Sequence, residues 1–265
     1  MVNDMEVNNK KVIITGCASG IGKEMTKNLL SKGAIVFGLD INQDNLKELE
    51  SEVNSDKLKT YKVDISKKEE LKKFHDKYIK DNKNVDILIN NAGIIQPFIN
   101  IVDLSDDVID RVMNINFYGA VNLTRLFLSD MIDSKGETYI VNVSSMGGFF
   151  PFPGQSVYGA SKAALKLFTE GLYSELRDTN VRVMVVCPGA MNTNIMDNSN
   201  VKKNITSNDS SYKLLSSYDA ANMIIEGIEK NKFKLFLGSD SKFMKFIYKL
   251  NSKWAIDFIN KKMNK

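Results

Sequence analysis

Histidine occurs once and cysteine twice in this 265-residue chain, and no apolar run is long enough to span a bilayer. His75 falls in the charged run KKEELKKFHDK, where a solvated helix face is expected, and no second histidine supports Ser-His hydrolase chemistry. Cys17 and Cys187 fit neither a disulfide framework nor metal-ligand spacing, so no metal site is expected. The opening MVNDMEVNNK holds no apolar h-region, which makes a cytoplasmic location the expectation. There is no internal repeat and no interdomain linker, and one domain over residues 1–265 is expected. The net charge of +4 is unevenly placed: residues 241–265 carry seven lysines and one acid, leaving the rest slightly negative. That balance argues against nucleic acid or any other polyanion as a partner of the body.

What the chain does contain is an alternation. KVIIT (11–15), AIVFGLD (34–40), KLKTYKVD (57–64), VDILIN (85–90), TYIVNVSS (138–145), VRVMVVC (181–187) and FKLFL (233–237) read as strands. Several are near-continuous apolar runs, as strands buried on both faces require. Helical spacing fills about 20–32, 43–53, 67–82, 106–134, 156–178 and 218–230. Strand–helix alternation predicts an α/β fold with a doubly wound, seven-stranded parallel sheet and helices on both faces. A polar stretch within 190–217 follows a strand end and is long enough to be a functional loop.

Directly after the first strand comes TGCASGIG, with Gly16, Gly20 and Gly22. This G-x-x-x-G-x-G run serves a tight turn, close backbone approach to a pyrophosphate and close helix–sheet packing. The helix that follows offers free N–H groups and partial positive charge to an anion. Asp40 ends the second strand, 24 residues after Gly16, where a carboxylate accepts ribose hydroxyls and repels a 2′-phosphate. Ile41, Asn42 and Gln43 supply no cation for that phosphate, so NAD is favoured over NADP. The bland alternative is that Asp40 caps the next helix.

SVYGASKAAL (156–165) sets Tyr158 four residues before Lys162. By chance alone about one such pair is expected in a chain of this composition, so the pair carries weight only in company. Company is present. NNAG (90–93), NINFYG (114–119), VSS thirteen residues before Tyr158, and PGAMNT (188–193) occur in one order with the glycine loop and VDIS. Together they resemble the short-chain dehydrogenase/reductase family over about residues 10–237. The resemblance implies a Rossmann-type domain, a catalytic set of Asn116, Ser145, Tyr158 and Lys162, and a homo-oligomer, dimer or tetramer. It also implies cofactor contacts by Gly16, Ser19, Gly20, Ile21, Gly22, Asp40, Asp64, Ile65, Asn91, Ala92 and Gly93. Tyr158, Lys162, Pro188, Gly189, Met191 and Thr193 complete that set.

The chemistry gives these residue types a reason. Reducing a ketone by hydride transfer needs a proton for the developing alkoxide, and oxidation needs the reverse. A phenol titrates near 10, and a nearby ammonium lowers that value. A lysine at i+4 shares the tyrosine's helix face. Within the resemblance, Lys162 also holds the nicotinamide ribose and Asn116 positions a relay water. Ser145 hydrogen-bonds the substrate oxygen. Ser144 would face the other way if the strand persists that far. Cys17 is read as a passive loop side chain and Cys187 as core.

Two features stand outside the resemblance. Phe243, Phe246, Ile247, Leu250, Trp254 and Phe258 keep helical spacing among lysines, which predicts a basic amphipathic helical extension over 239–265. Ser241 or Asp240 would cap it. Such a helix docks on its own subunit, forms a dimer seam, or makes weak contact with a membrane surface. In MGGFFPFPGQSV, three phenylalanines either wall a pocket for a lipophilic substrate or pack beneath the loop. The expectation is an NAD-dependent oxidoreductase interconverting a small-molecule secondary alcohol and ketone. An NADPH-dependent 3-oxoacyl or carbonyl reductase is the alternative, and a non-catalytic nucleotide-binding protein the third reading.

Overall fold

The computed structural model describes residues 5–191 and 214–263. Thr193 and most of the 190–217 segment therefore lie outside the described residues. Seven strands form one sheet: β1 (Lys11–Thr15), β2 (Ile35–Asp40), β3 (Leu58–Lys62), β4 (Ile87–Asn90), β5 (Thr138–Val143), β6 (Val181–Pro188) and β7 (Lys234–Leu237). All neighbours are parallel, in the order β3-β2-β1-β4-β5-β6-β7. The helices are α1 (Gly20–Ser31), α2 (Gln43–Val53), α3 (Lys68–Asn82), α4 (Asp106–Met113), α5 (Ala120–Ile132), α6 (Ser156–Glu175), α7 (Ser217–Glu229), α8 (Ser239–Leu250) and α9 (Ser252–Met263). Among the described residues no helix is long and apolar enough to cross a membrane.

Alternating strand residues feed two cores. Val12, Ile14, Ile87, Ile89, Met184 and Val186 pack with α1, α2 and α7 on one face. Ile13, Leu88, Ile140 and Val183 pack with α3, α5 and α6 on the other. Each fully buried aliphatic side chain contributes about 1.5–3 kcal/mol relative to exposure. The sheet turns back on itself between β1 and β4, which adjoin each other but continue to opposite edges. The crevice at the C-terminal ends of these two strands is the expected ligand site of such a sheet.

The seven strands match the sequence expectation in number and order, but four other local details do not. The helix expected over 106–134 contains a π-helical turn, Asn114–Gly119, between α4 and α5. Gly119 lies against Ile65, whose atoms would meet a Cβ at 3.0 Å, so a larger residue there requires Ile65 to give way by a few tenths of an ångström. The C-terminal run is two helices, broken where Asn251 is extended (φ −154, ψ 101). Asn251 Oδ1 then accepts from Trp254 N at 2.9 Å and restarts the chain as α9. Neither expected residue caps α8: Ser241 Oγ donates to Cys187 O (3.0 Å) and Asp240 Oδ2 accepts from Ala190 N (2.6 Å). Finally, His75 is half-buried at the edge of the solvated face rather than fully exposed. Its ring lies 3.1 Å from carboxylates of both Asp76 and Asp130 and packs edge-on against Phe127.

Phe127 is fully buried and meets the rings of Phe74 and Tyr78 as well as His75. Phe127→Ala should lower unfolding stability by about 3–5 kcal/mol through the cavity it leaves. Urea denaturation followed by far-UV circular dichroism reads this directly. A loss below about 1 kcal/mol would mean the cluster collapses around the gap and is not a rigid support of the sheet.

Candidate active site

The β1 and β4 loops border a cleft of about 860 Å³ that also receives the ends of β2, β5 and β6. At its β1 side, Gly16 (φ +66) and Gly20 (φ +51) adopt backbone conformations that side chains resist. A Cβ on Gly22 would lie 1.9 Å from Gly16 O, so the loop folds onto the first turn of α1 only because Gly22 has none. That turn carries no acidic residue and no side-chain cap from Ser19, so its N–H groups and dipole meet the cleft without an internal anion. Residues present thus suit a bound pyrophosphate. Asn91 stitches the β4 turn to this loop: its Nδ2 donates to Thr15 O (3.0 Å) and Gly16 O (3.2 Å).

Asp40 lies at the cleft end of β2. Its Oδ2 accepts from Ala18 N (3.1 Å) and its Oδ1 from Asn42 N (3.0 Å), leaving lone pairs for ribose hydroxyls. It does not cap α2; Asn42 does, accepting from Asp44 N and Asn45 N. Asp64, next along the wall, accepts from Ser66 N and Ser66 Oγ and lies 3.6 Å from Lys67 Nζ. Ile65, Ala92, Pro188, Gly189 and Met191 also line the cleft. Cys17 is buried with its sulfur against Gly38, and burial drives its thiol well above the ordinary range. The sulfur is inert packing. Cys187 is core, pushed up to about 11 by burial.

Tyr158, Ser145, Lys162 and Gly93 line the same cleft. β5 ends at Val143, so Ser144 and Ser145 separate by turn geometry and not by strand alternation. Ser144 Oγ is buried and donates to Lys162 O (2.7 Å); Ser145 Oγ faces the cleft and accepts from Gly147 N (3.0 Å). Burial pushes the Tyr158 phenol up, and its hydrogen bond with Ser145 acts the other way. Lys162 is 3% exposed, its Nζ donates to Val143 O at 3.0 Å, and burial holds it down to about 8. A Cβ on Gly93 would come within 2.9 Å of that Nζ, so the glycine makes room for the ammonium. In this geometry desolvation is the largest influence on both groups.

Asn116 stands in the π-helical turn and is buried. Its Oδ1 accepts from Ile94 N (2.8 Å), while Nδ2 donates to Ile94 O (2.9 Å) and Ser161 Oγ (3.0 Å). Both amide donors are thus spent on bracing the β4 loop against α6. Two further residues, which no local motif marked, do similar work. Gln96 Oε1 accepts from Tyr158 N (2.8 Å), supplying the cap that α6 lacks from its own Gln155. Gln96 Nε2 donates to Gly154 O (2.8 Å), and Gln155 Nε2 donates to Gln96 O (2.9 Å). The three phenylalanines divide: Phe152 lines the cleft, Phe150 is fully buried beneath α8 and α9, and Phe149 packs on Phe236. No cluster of three or more metal-ligating side chains occurs among the described residues.

Comparisons with known proteins agree with this fold. A family model described as short chain dehydrogenase matches residues 10–204. A 3-oxoacyl-[acyl-carrier-protein] reductase of Thermotoga maritima is 36% identical over 191 residues, covering 71% of this chain and 77% of its own. The 3beta-hydroxysteroid dehydrogenase 2 of Eggerthella lenta is 33% identical, covering 69% and 71% respectively. A crystal structure of a short chain dehydrogenase from Burkholderia cenocepacia in complex with NADP superposes with a TM-score of 0.81 at 21% identity, covering 96% of this chain and 99% of that one.

The buried ammonium has a consequence for stability. The folded value of about 8 lies below the unfolded lysine value near 10.4, so the unfolded chain binds the extra proton between them. Lys162 therefore weakens the fold fully below pH 8, and the penalty fades as pH rises toward 10. Lys162→Met should be more stable than wild type at pH 7, by an upper bound of about 3 kcal/mol. Urea midpoints of the two proteins should converge at alkaline pH; a pH-independent difference would show that Lys162 is not strained in the fold.

Proposed function

Because the chain belongs to the short-chain dehydrogenase/reductase family, as an NAD(P)-dependent oxidoreductase acting on CH–OH or C=O groups, we propose that it interconverts a lipophilic secondary alcohol and its ketone with NAD. The observation that carries this reading is the convergence of Tyr158, Ser145 and Lys162 on the cleft that also holds the glycine loop and Asp40. Gly16, Gly20, Ile21 and Gly22 would hold the pyrophosphate through backbone N–H groups, Asp40 the adenosine ribose, Asp64 and Ile65 the adenine. Asn91, Ala92, Gly93, Pro188, Gly189 and Met191 would border the nicotinamide end, with Ser19 beside the phosphates. When bound, the nicotinamide ring donates or accepts the hydride and, oxidised, carries a positive charge.

Tyr158 then does the proton work. In reduction its hydroxyl gives a proton to the developing alkoxide; in oxidation the phenolate takes the alcohol proton. Ser145 holds the reacting oxygen near the phenol and donates to it as charge develops. The Lys162 ammonium, placed on the same helix face, favours the phenolate. Asn116, Gln96 and Gln155 keep α6 in register with the β4 loop, so that phenol and cofactor end stay mutually placed. Phe98, Met146 and Phe152 give the cleft an apolar wall, which suits a lipophilic substrate.

The relation to the T. maritima reductase favours a second reading, a 3-oxoacyl reductase, for which NADPH is the cofactor to weigh. Asp40 weighs against it, since its carboxylate would oppose a 2′-phosphate and the following Ile41 and Asn42 bring no cation. A homo-oligomer and a cytoplasmic location complete the proposal.

A dehydrogenase screen at the nicotinamide absorbance, with secondary alcohols and ketones and both cofactors, tests the reaction class. Tyr158→Phe should lower kcat by about 10²–10⁴-fold while leaving cofactor affinity within a few-fold. Wild-type turnover by that variant would sink the acid–base assignment. Asp40→Ala should move the NAD to NADP preference toward NADP by tenfold or more, about 1.4 kcal/mol. An unchanged ratio of kcat/KM for the two cofactors would remove Asp40 as the discriminator.

A further inference from the structure

We propose that the outer face of α8 and α9 is a docking surface for an anionic lipid bilayer. Phe243, Phe246 and Leu250 follow i, i+3, i+7 spacing along α8 and are 50%, 62% and 70% exposed. One position earlier at each step stand Lys242, Lys245 and Lys249, so a cationic stripe runs beside the apolar one. Past the break at Asn251, Trp254 is 54% exposed and stacks on Phe258 with ring centroids 5.5 Å apart, with Lys253 preceding it.

This outer face is not an inner face awaiting its core. Ile247, Ala255 and Ile259 are already buried against Met146 and Phe150, with Met244 and Tyr248 packed alongside. The start of α8 is pinned by Asp240 to Ala190 N and by Ser241 to Cys187 O. The aromatic stripe is therefore held outward on a fixed scaffold. Lone exposed apolar residues are ordinary, but a contiguous set rimmed by charge marks an interaction surface.

Charge chooses the occupant. Residues 241–265 hold seven lysines and one acid, Asp257. A second copy related by a twofold axis would set lysine against lysine with almost no carboxylate to answer them. An anionic bilayer answers both stripes at once, taking the apolar side chains into the headgroup boundary and the ammonium groups at the phosphate level. Tryptophan is the aromatic residue that such a boundary suits.

Trp254 is the chain's one tryptophan, so its emission reports the proposed contact directly. The full chain is titrated with phosphatidylcholine vesicles with and without phosphatidylglycerol, and pelleting is measured in parallel. The expected result is a blue shift and co-sedimentation with the anionic vesicles only, reversed by added salt. Lys242→Glu/Lys249→Glu should weaken binding at least about tenfold. Phe243→Ser/Phe246→Ser/Leu250→Ser should abolish it without changing the circular dichroism spectrum. No shift and no pelleting would overturn the proposal. So would a lipid-independent shift that depends on protein concentration, or dimers by analytical ultracentrifugation that the triple serine variant loses; either would assign the face to a second copy.

Discussion

One ammonium group organises the heart of this molecule. Placing Lys162 Nζ between β5 and the β4 loop removes it from water, and the surroundings are arranged around that cost. Gly93 gives up its side chain to make space, Val143 lends its carbonyl, and Ser144 donates to the Lys162 carbonyl from behind. Gly148 presses close enough that a Cβ would lie 2.6 Å from Ser144 Oγ. Each of these is a sacrifice of side-chain volume or of a polar group that a purely structural helix would not require. The fold keeps a desolvated cation at a buried position, an arrangement consistent with the proton chemistry proposed for the cleft.

The cleft divides its tasks along the switch in strand order. Backbone amides and a helix dipole stand after β1, a carboxylate after β2, a phenol and an ammonium on α6, and an apolar wall after β5. No single element holds two of the first three functions. The sheet sets their spacing, and the amide contacts of Asn91, Asn116 and Gln96 tie neighbouring loops together across it. Rigidity comes from many short hydrogen bonds between loops that would otherwise move independently.

Much of this was legible in the amino-acid order. Parallel strands buried on both faces leave continuous apolar runs, and a glycine that must touch a carbonyl cannot be another residue, so β1 and the Gly16–Gly22 loop announce themselves. Tyr158 and Lys162 are readable because a helix fixes their distance. What escaped depended on contacts between distant segments. Gln96 meets Tyr158 across 62 residues, and nothing local to either marks the pairing. Gly119 of the π-helical turn at 114–119 meets Ile65, and His75 is half-buried where Asp130 and Phe127 come to it from α5. Helical periodicity likewise ran unbroken through Asn251, since apolar spacing says nothing about where a backbone turns extended.

The carboxylate of Asp240 lies between two glycines, Gly189 and Gly238, and fastens the backbone of Ala190 from fifty residues further along. All of the proposed acid–base residues precede residue 240, whereas the carboxylate that fastens Ala190 arrives only with it. The rim of the cleft therefore depends on the C-terminal segment, and a chain truncated before residue 240 lacks that tie.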